Sequence, residues 1–198
     1  MPEAVADTRV PFVLFEEWFA AAGESEPRDP NAMTLATCSN DGAPSARMVL
    51  LKGWDERGFV FYTNLESRKG RELTANPRAA LLFYWKSLSR QIRIEGTIGP
   101  VSAAEADQYY ASRPRMARIG AWASEQSRPL GARAELEARV AAFEARYPAE
   151  LVPRPPYWSG FRLTPSRFEF WQEQPFRLHE RRSFVRAAAG WHTGMLYP

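Results

Sequence analysis

Phe12, Phe15 and Phe19 recur at helical spacing within FVLFEEWF (residues 12–19), with glutamates between them, a pattern that predicts an N-terminal amphipathic helix. The period then changes. MTLATCSNDGAPSARMVLLKGW reads as two strands around Asn40-Asp41-Gly42, because Asp-Gly supplies the positive φ that a tight hairpin turn needs. DERG (55–58) marks a second turn before FVFYTN, and NPRAALLFYW and RQIRIEGTI give two more strands rich in β-branched and aromatic residues. Between them SRKGRELTAN reads as a short helix capped by Ser67.

From Ser102 to about Tyr147 alanine and charge replace the strand pattern, predicting helices at 103–112, 116–123 and 131–147 with breaks at Pro114 and Pro129. PRPP (153–156) is a stiff connector, after which YWSGFRLTP, RFEFWQ, FRLHERRSFVR and a segment around 191–196 return to strand character. Strands, a helical insertion at about 102–150, then strands again predict one domain over residues 1–198. Its fold class is mainly antiparallel β with helices, an antiparallel barrel closed by both chain segments.

Composition changes this picture little. Hydrophobic residues at 45% and charged residues at 25% suit a folded protein rather than a disordered one. Without a signal-like N-terminus or a long apolar run, the expectation is a cytoplasmic protein with no membrane partner. Cys38 is the only cysteine and His179 and His192 the only histidines, so no metal site is expected. A net charge of +3 from 26 basic and 23 acidic residues gives no case for nucleic acid. Only Lys52, Lys69 and Lys86 are lysines; the other bases are arginines, suited to bidentate grip on phosphate or carboxylate.

No glycine-rich phosphate loop is present, so side chains must hold any phosphorylated ligand. Arg47 and Lys52 bracket RMVLLK, where a regular strand would turn them to opposite faces; a bulge, a strand end or a subunit boundary is needed to bring both to one site. Arg68 and Lys69 open the short helix beside Ser67, which suits an anion. Tyr109 and Arg113 in YYASRPR are one helical turn apart. Gln91, Gln126 and Ser127 carry groups able to read the edge of a heterocycle. His179 lies among Arg177, Arg181 and Arg182 in FWQEQPFRLHERRSFVR, a stretch that reads as a β-hairpin. Taken singly, each patch is explained as well by solvated charge.

Together and in this order, RMVLLK, FYTNLESRKGRELTANPR, RQIRIEG, YYASRPR, IGAWASEQS, FWQ and RLHER resemble the pyridoxine (pyridoxamine) 5′-phosphate oxidases, FMN enzymes of the split-barrel fold. The resemblance runs from about Asp29 to the C-terminus. It implies an FMN site made by Arg47, Met48, Val49, Leu50, Leu51, Lys52, Tyr62, Thr63, Arg68, Lys69, Gln91, Gln126, Ser127, Trp171 and Arg181. It implies a substrate site of Lys52, Tyr109, Arg113, Arg177, Leu178 and His179, with Arg177 and His179 over the substrate ring as catalytic residues. A homodimer with FMN at the subunit interface is implied too, as is hydride transfer from substrate C4′ to flavin N5 with O₂ reduced to hydrogen peroxide.

The chain departs from the family pattern at Ala117, where a serine is usual, at Glu180 in place of Asp, and at Met195, where an arginine is common. MPEAVADTRVPF has no counterpart of the arm that carries Arg and Tyr over the substrate. Two other readings remain open at this point: an oxidase of phenazine-pathway type, and a flavin- or B6-phosphate-binding protein without turnover.

Overall fold

The structure is a computed structural model and describes residues 4–7 and 9–198. Ten strands and five helices follow in the order β1 (Ala4–Ala6), α1 (Val10–Ser25), β2 (Ala32–Cys38), β3 (Pro44–Leu50), β4 (Gly53–Asp55), β5 (Gly58–Asn64), α2 (Arg68–Ala75), β6 (Arg78–Trp85), β7 (Arg90–Pro100), α3 (Ala103–Ser112), α4 (Arg115–Ala123), α5 (Arg133–Arg146), β8 (Trp158–Gln172), β9 (Glu180–Ala187) and β10 (Gly190–Met195). The strands form one curled antiparallel sheet, ordered β1-β10-β9-β8-β7-β6-β2-β3, with β5 also on β8 and β4 on β5.

Local chemistry accounts for most of these elements. Gly42 takes φ +88° in the β2–β3 turn, where Thr37 pairs with Ser45 and Leu35 with Arg47. Ser67 caps α2 by accepting from the Gly70 N–H, and Ser102 and Glu105 form a reciprocal capping box on α3. A Cβ on Gly70 would lie 2.1 Å from the Leu65 carbonyl oxygen, so only glycine lets α2 start this close to the preceding loop.

YWSGFRLTP and RFEFWQ are one 15-residue strand, not two. Pro165 is tolerated because the β7–β8 register shifts beside it, between Glu95 and Gly96, where the ladder is already interrupted. The N-terminal half of β8 pairs with β5, from Trp158 opposite Asn64 to Leu163 opposite Phe59. Its C-terminal half pairs with β9, from Arg167 opposite Val185 to Gln172 opposite Glu180.

The core fills the curl. Phe12 and Phe15 of α1 reach in, Phe15 lying 4.8 Å from Phe59 and Phe12 5.4 Å from Phe168, ring centre to ring centre. Truncating such a buried ring costs about 3–5 kcal/mol, so α1 is part of the core. The expected barrel closure takes a looser form. Strands β3 and β5 form no ladder among the described residues; they meet through the chain just past β3, where the Lys52 N–H donates to the Val60 carbonyl at 2.9 Å.

The expected helices are present at 103–112, 115–123 and 133–146, and α5 buries none of its residues. No described helix is long and apolar enough to cross a membrane. Among the described residues no group of three or more His, Cys, Asp or Glu could hold a metal ion.

Candidate active site

Three cations gather where the β2–β3 hairpin meets α2. Arg47 points inward from β3, donating to Thr37 and Ser45, and its Nη2 reaches Glu72 Oε2 at 3.2 Å. Arg68 places Nε 2.8 Å from Glu72 Oε1. Lys69 Nζ donates to Gln126 Oε1 at 2.8 Å, and Thr63 shares that acceptor at 3.3 Å. Burial, aided by the nearby Arg47 charge, lowers the Lys69 ammonium to a pKa of about 8. Burial also pushes the Glu72 carboxyl up, but hydrogen bonds from Thr37, Ser45, Arg68 and Arg47 outweigh it and bring the group to about 2.

In front of these cations lies a cavity of about 610 Å³, lined by Met48, Val49 and Leu50 of β3, Tyr62, Thr63 and Asn64 of β5, Lys69, Tyr109, Arg113, Gln126 and Trp158, with Lys52 and the small residues Ala117, Gly120, Ala121 and Ser124. Lys52 enters it because β3 has ended at Leu50, which resolves the geometric problem posed by RMVLLK: Arg47 faces the hairpin interior and Lys52 the cavity. Met48 and Leu50 are exposed on the edge strand rather than core, Leu51 is buried, and Val49 is intermediate, so the apolar run alternates as strand geometry requires.

On the same cavity wall an aromatic stack carries Arg113. Tyr62 and Tyr109 stack at 4.0 Å, Tyr62 and Trp158 at 5.4 Å, and the Arg113 guanidinium lies 4.9 Å above the Trp158 ring. Arg113 Nη1 is buried with no hydrogen-bond partner, and burial lowers the group's pKa. An orphaned cationic donor against a concave wall, with Lys52 beside Tyr109, calls for an anion.

The remaining expected residues lie elsewhere on the chain. Gln91, Trp171 and Arg181 line a separate recess of about 310 Å³ with Leu82, Arg93, Glu169 and Pro198. Buried Glu169 holds Arg181 Nε at 2.7 Å, and Arg93 reaches its other oxygen. Arg177, Leu178 and His179 are not in a strand, as the hairpin reading had them. They occupy the loop between β8 and β9, with a 3-10 turn at Pro175–Arg177 in which Phe176 and Arg177 take φ +60° and +63°. Pro175 cannot donate to a ladder, so β8 ends ahead of it. The His179 ring lies 4.6 Å from Trp171, tilted by 44°, and its Nδ1 accepts from the Gln174 N–H at 3.2 Å.

The chain therefore brings together Met48, Val49, Leu50, Lys52, Tyr62, Thr63, Lys69, Tyr109, Arg113 and Gln126. Gln91, Trp171 and Arg181 form a second group with the His179 ring tilted against Trp171, while Ser127, at φ +72°, lines a small recess beside α5. Reading the sequence overlooked Trp158, Glu72 and Glu169. Glu72 stands four residues after Arg68, an ion-pair spacing visible in SRKGRE; Trp158 and Glu169 give no comparable local signal.

An FMN-type split barrel with a cation-lined cavity is the class that this fold and site define. Residues 20–147 match the family model described as pyridoxamine 5′-phosphate oxidase, and residues 158–198 match the pyridoxine 5′-phosphate oxidase C-terminal dimerisation region. The chain belongs to the pyridoxamine 5′-phosphate oxidase family. It is 63% identical over 188 residues to the pyridoxine/pyridoxamine 5′-phosphate oxidase of Sphingopyxis alaskensis, covering 95% of this chain and 87% of that one. It is 58% identical to the Caulobacter vibrioides protein of the same name, covering 100% and 89%. Among solved structures, PhzG of Burkholderia lata, crystallised with tetrahydrophenazine-1-carboxylic acid, superposes with TM-score 0.89 at 38% identity, covering 95% and 92%. A pyridoxamine 5′-phosphate oxidase-related FMN-binding protein of Nostoc punctiforme shares the fold at TM-score 0.75 and 18% identity, covering 95% and 98%.

Proposed function

We propose that the cavity holds FMN and a phosphorylated pyridine side by side, and that the chain oxidises pyridoxine or pyridoxamine 5′-phosphate to the aldehyde. The observation that carries this reading is the placement of cations at two ends of one cavity. Lys69, backed by Arg47 and Arg68, forms one end; Lys52 and Arg113 form the other. Each end suits one phosphate ester, and the apolar stretch between them suits two stacked rings. FMN, when bound, accepts a hydride at N5 and passes the electrons to O₂, giving hydrogen peroxide.

The protein's part is alignment and charge. Anchoring both reactants by their phosphates fixes the reacting carbon against the flavin, and alignment of this kind is worth about 7–11 kcal/mol of barrier. Arg177 orients the substrate and offsets developing charge. Because Nδ1 of His179 accepts from a backbone N–H, its neutral ring carries the proton on Nε2, the nitrogen left to face a ligand. One chain keeps Gln91, Trp171, Arg181 and the Arg177–His179 loop apart from its own cavity, and these residues fall within or beside the dimerisation region. A partner protomer supplies them, with FMN at the interface.

The test is to purify the protein, record its flavin spectrum, and assay peroxide with pyridoxine phosphate, pyridoxamine phosphate and a non-phosphorylated analogue. Turnover restricted to the phosphorylated compounds is expected; equal rates with the analogue would overturn the two-phosphate reading. A phenazine-type substrate is the second reading, favoured by the likeness to PhzG and by Ala117, which removes a hydroxyl from the cavity wall. Lys52, Tyr109 and Arg113 weigh against it.

A further inference from the structure

Glu72 is not among the residues lining the 610 Å³ cavity, yet it is the point on which the cationic group beside it converges. Its carboxylate is buried at 7% exposure and accepts from Thr37 of β2, from Ser45 and Arg47 of β3, and from Arg68 of its own helix. Three elements thus meet on two oxygens. A staple between α2 and the hairpin needs only the hydroxyls of Thr37 and Ser45. Here the same carboxylate also grips two of the three cations behind the cavity.

The grip has a direction. Arg47 spends Nη1 on the Leu35 carbonyl and Thr37, and Nη2 on Ser45 and Glu72, so its plane is fixed. Arg68 gives Glu72 its Nε at 2.8 Å, on a side chain that stays 59% exposed. Lys69 completes the group on the cavity wall. Three positive charges against one negative leave two, the charge of a phosphate monoester dianion.

We propose that Glu72 is a positioning residue for the flavin phosphate: it orients Arg47 and Arg68 and removes the surplus charge that would drive them apart. This rests on the reading that the cradle holds that phosphate. The proposal makes a prediction of unusual sign. Deleting a negative charge beside an anion site should tighten anion binding if charge alone matters; a positioning role makes the same deletion weaken it.

The experiment titrates flavin-stripped protein with FMN and, separately, with riboflavin, following flavin fluorescence. Glu72→Ala is expected to weaken FMN by about 10–100-fold, the range for a lost charge-assisted contact, with riboflavin changed by less than about threefold. Glu72→Gln, which keeps the shape and one acceptor oxygen, should fall between wild type and Glu72→Ala. Unchanged or tighter FMN binding in Glu72→Ala overturns the proposal, and so does an equal loss for FMN and riboflavin, which is the mark of a purely structural role. Arg68→Ala is the control: if it fails to separate FMN from riboflavin, the cradle reading itself falls. Should Glu72→Ala not fold, Ser45→Ala keeps every charge and removes one donor to Glu72. A loss of about threefold for FMN alone is then expected, and no loss overturns the proposal.

Discussion

The cradle at α2 and the loop between β8 and β9 are built on opposite principles. In the cradle each cation is already held: Arg47 and Arg68 by Glu72, Lys69 by Gln126. In the loop Phe176 is 93% exposed and Leu178 68%, and two consecutive residues without glycine's freedom take left-handed backbone angles. A group that must grip a tightly held cofactor gains from being pre-set, because no ordering entropy is spent on binding. On the function proposed above, the loop meets a substrate that enters and leaves, and does so across a second protomer, so it has other needs. The difference separates affinity for flavin from rate.

Substitutions can break that separation or sharpen it. The largest effect is expected for Arg177→Ala: turnover lower by about 10²–10³-fold, the usual cost of one charge-stabilising donor, with flavin content by absorbance at the wild-type level. If this variant lost its flavin, the two regions would not be independent. Arg68→Ala should do the reverse, weakening FMN by about 10–100-fold while added FMN restores the rate.

Next in size is a pH effect confined to the cradle. The unliganded Lys69 has a pKa of about 8, and a bound phosphate stabilises its charged form and raises it. Binding then takes up a proton above that pH. FMN affinity is expected to be flat between about pH 7 and 8, where the phosphate ester, with a second pKa of about 6, is a dianion, and to fall by up to about tenfold per unit above pH 8, while riboflavin affinity shows no such slope. The smallest effect is expected for Ala117→Ser, which adds a hydroxyl at the Arg113 end: KM for the phosphorylated substrate should fall by about three- to tenfold, leaving a non-phosphorylated analogue unaffected.

Local chemistry made the cradle side readable from sequence. The Ser67 cap, the Asp-Gly hairpin and helix 103–112 each rest on residues within a few positions of one another. The loop side was misread as strand because Arg177, His179 and Arg181 alternate as strand residues do, and what overrides that alternation is Pro175 and the left-handed turn after it. Pro165 misled in the opposite sense, since its missing donor is harmless only at a register shift contributed by β7, some seventy positions earlier. Neither Glu72 nor Glu169 is marked as buried by its neighbours in sequence. Their burial is decided by strands brought in from elsewhere, Thr37 and Ser45 in one case and Arg93 and Arg181 in the other. The short β1 carries no pattern of its own, and the expectation about the N-terminal arm falls partly on residues 1–3 and 8, outside those described.

The two family models part company at residues 147 and 158, but the pairing of β8 crosses that seam, since β5 and β7 belong to the first model and β8 and β9 to the second. The first six residues of β8 complete the curl against β5, and its last six carry β9 and the loop. A chain severed in the PRPP connector would leave β5 with only the three-residue β4 beside it and β7 with only β6, and would leave β8 with β9 alone. Neither piece is a transplantable module, and the two halves would regain activity only by reassembling on each other.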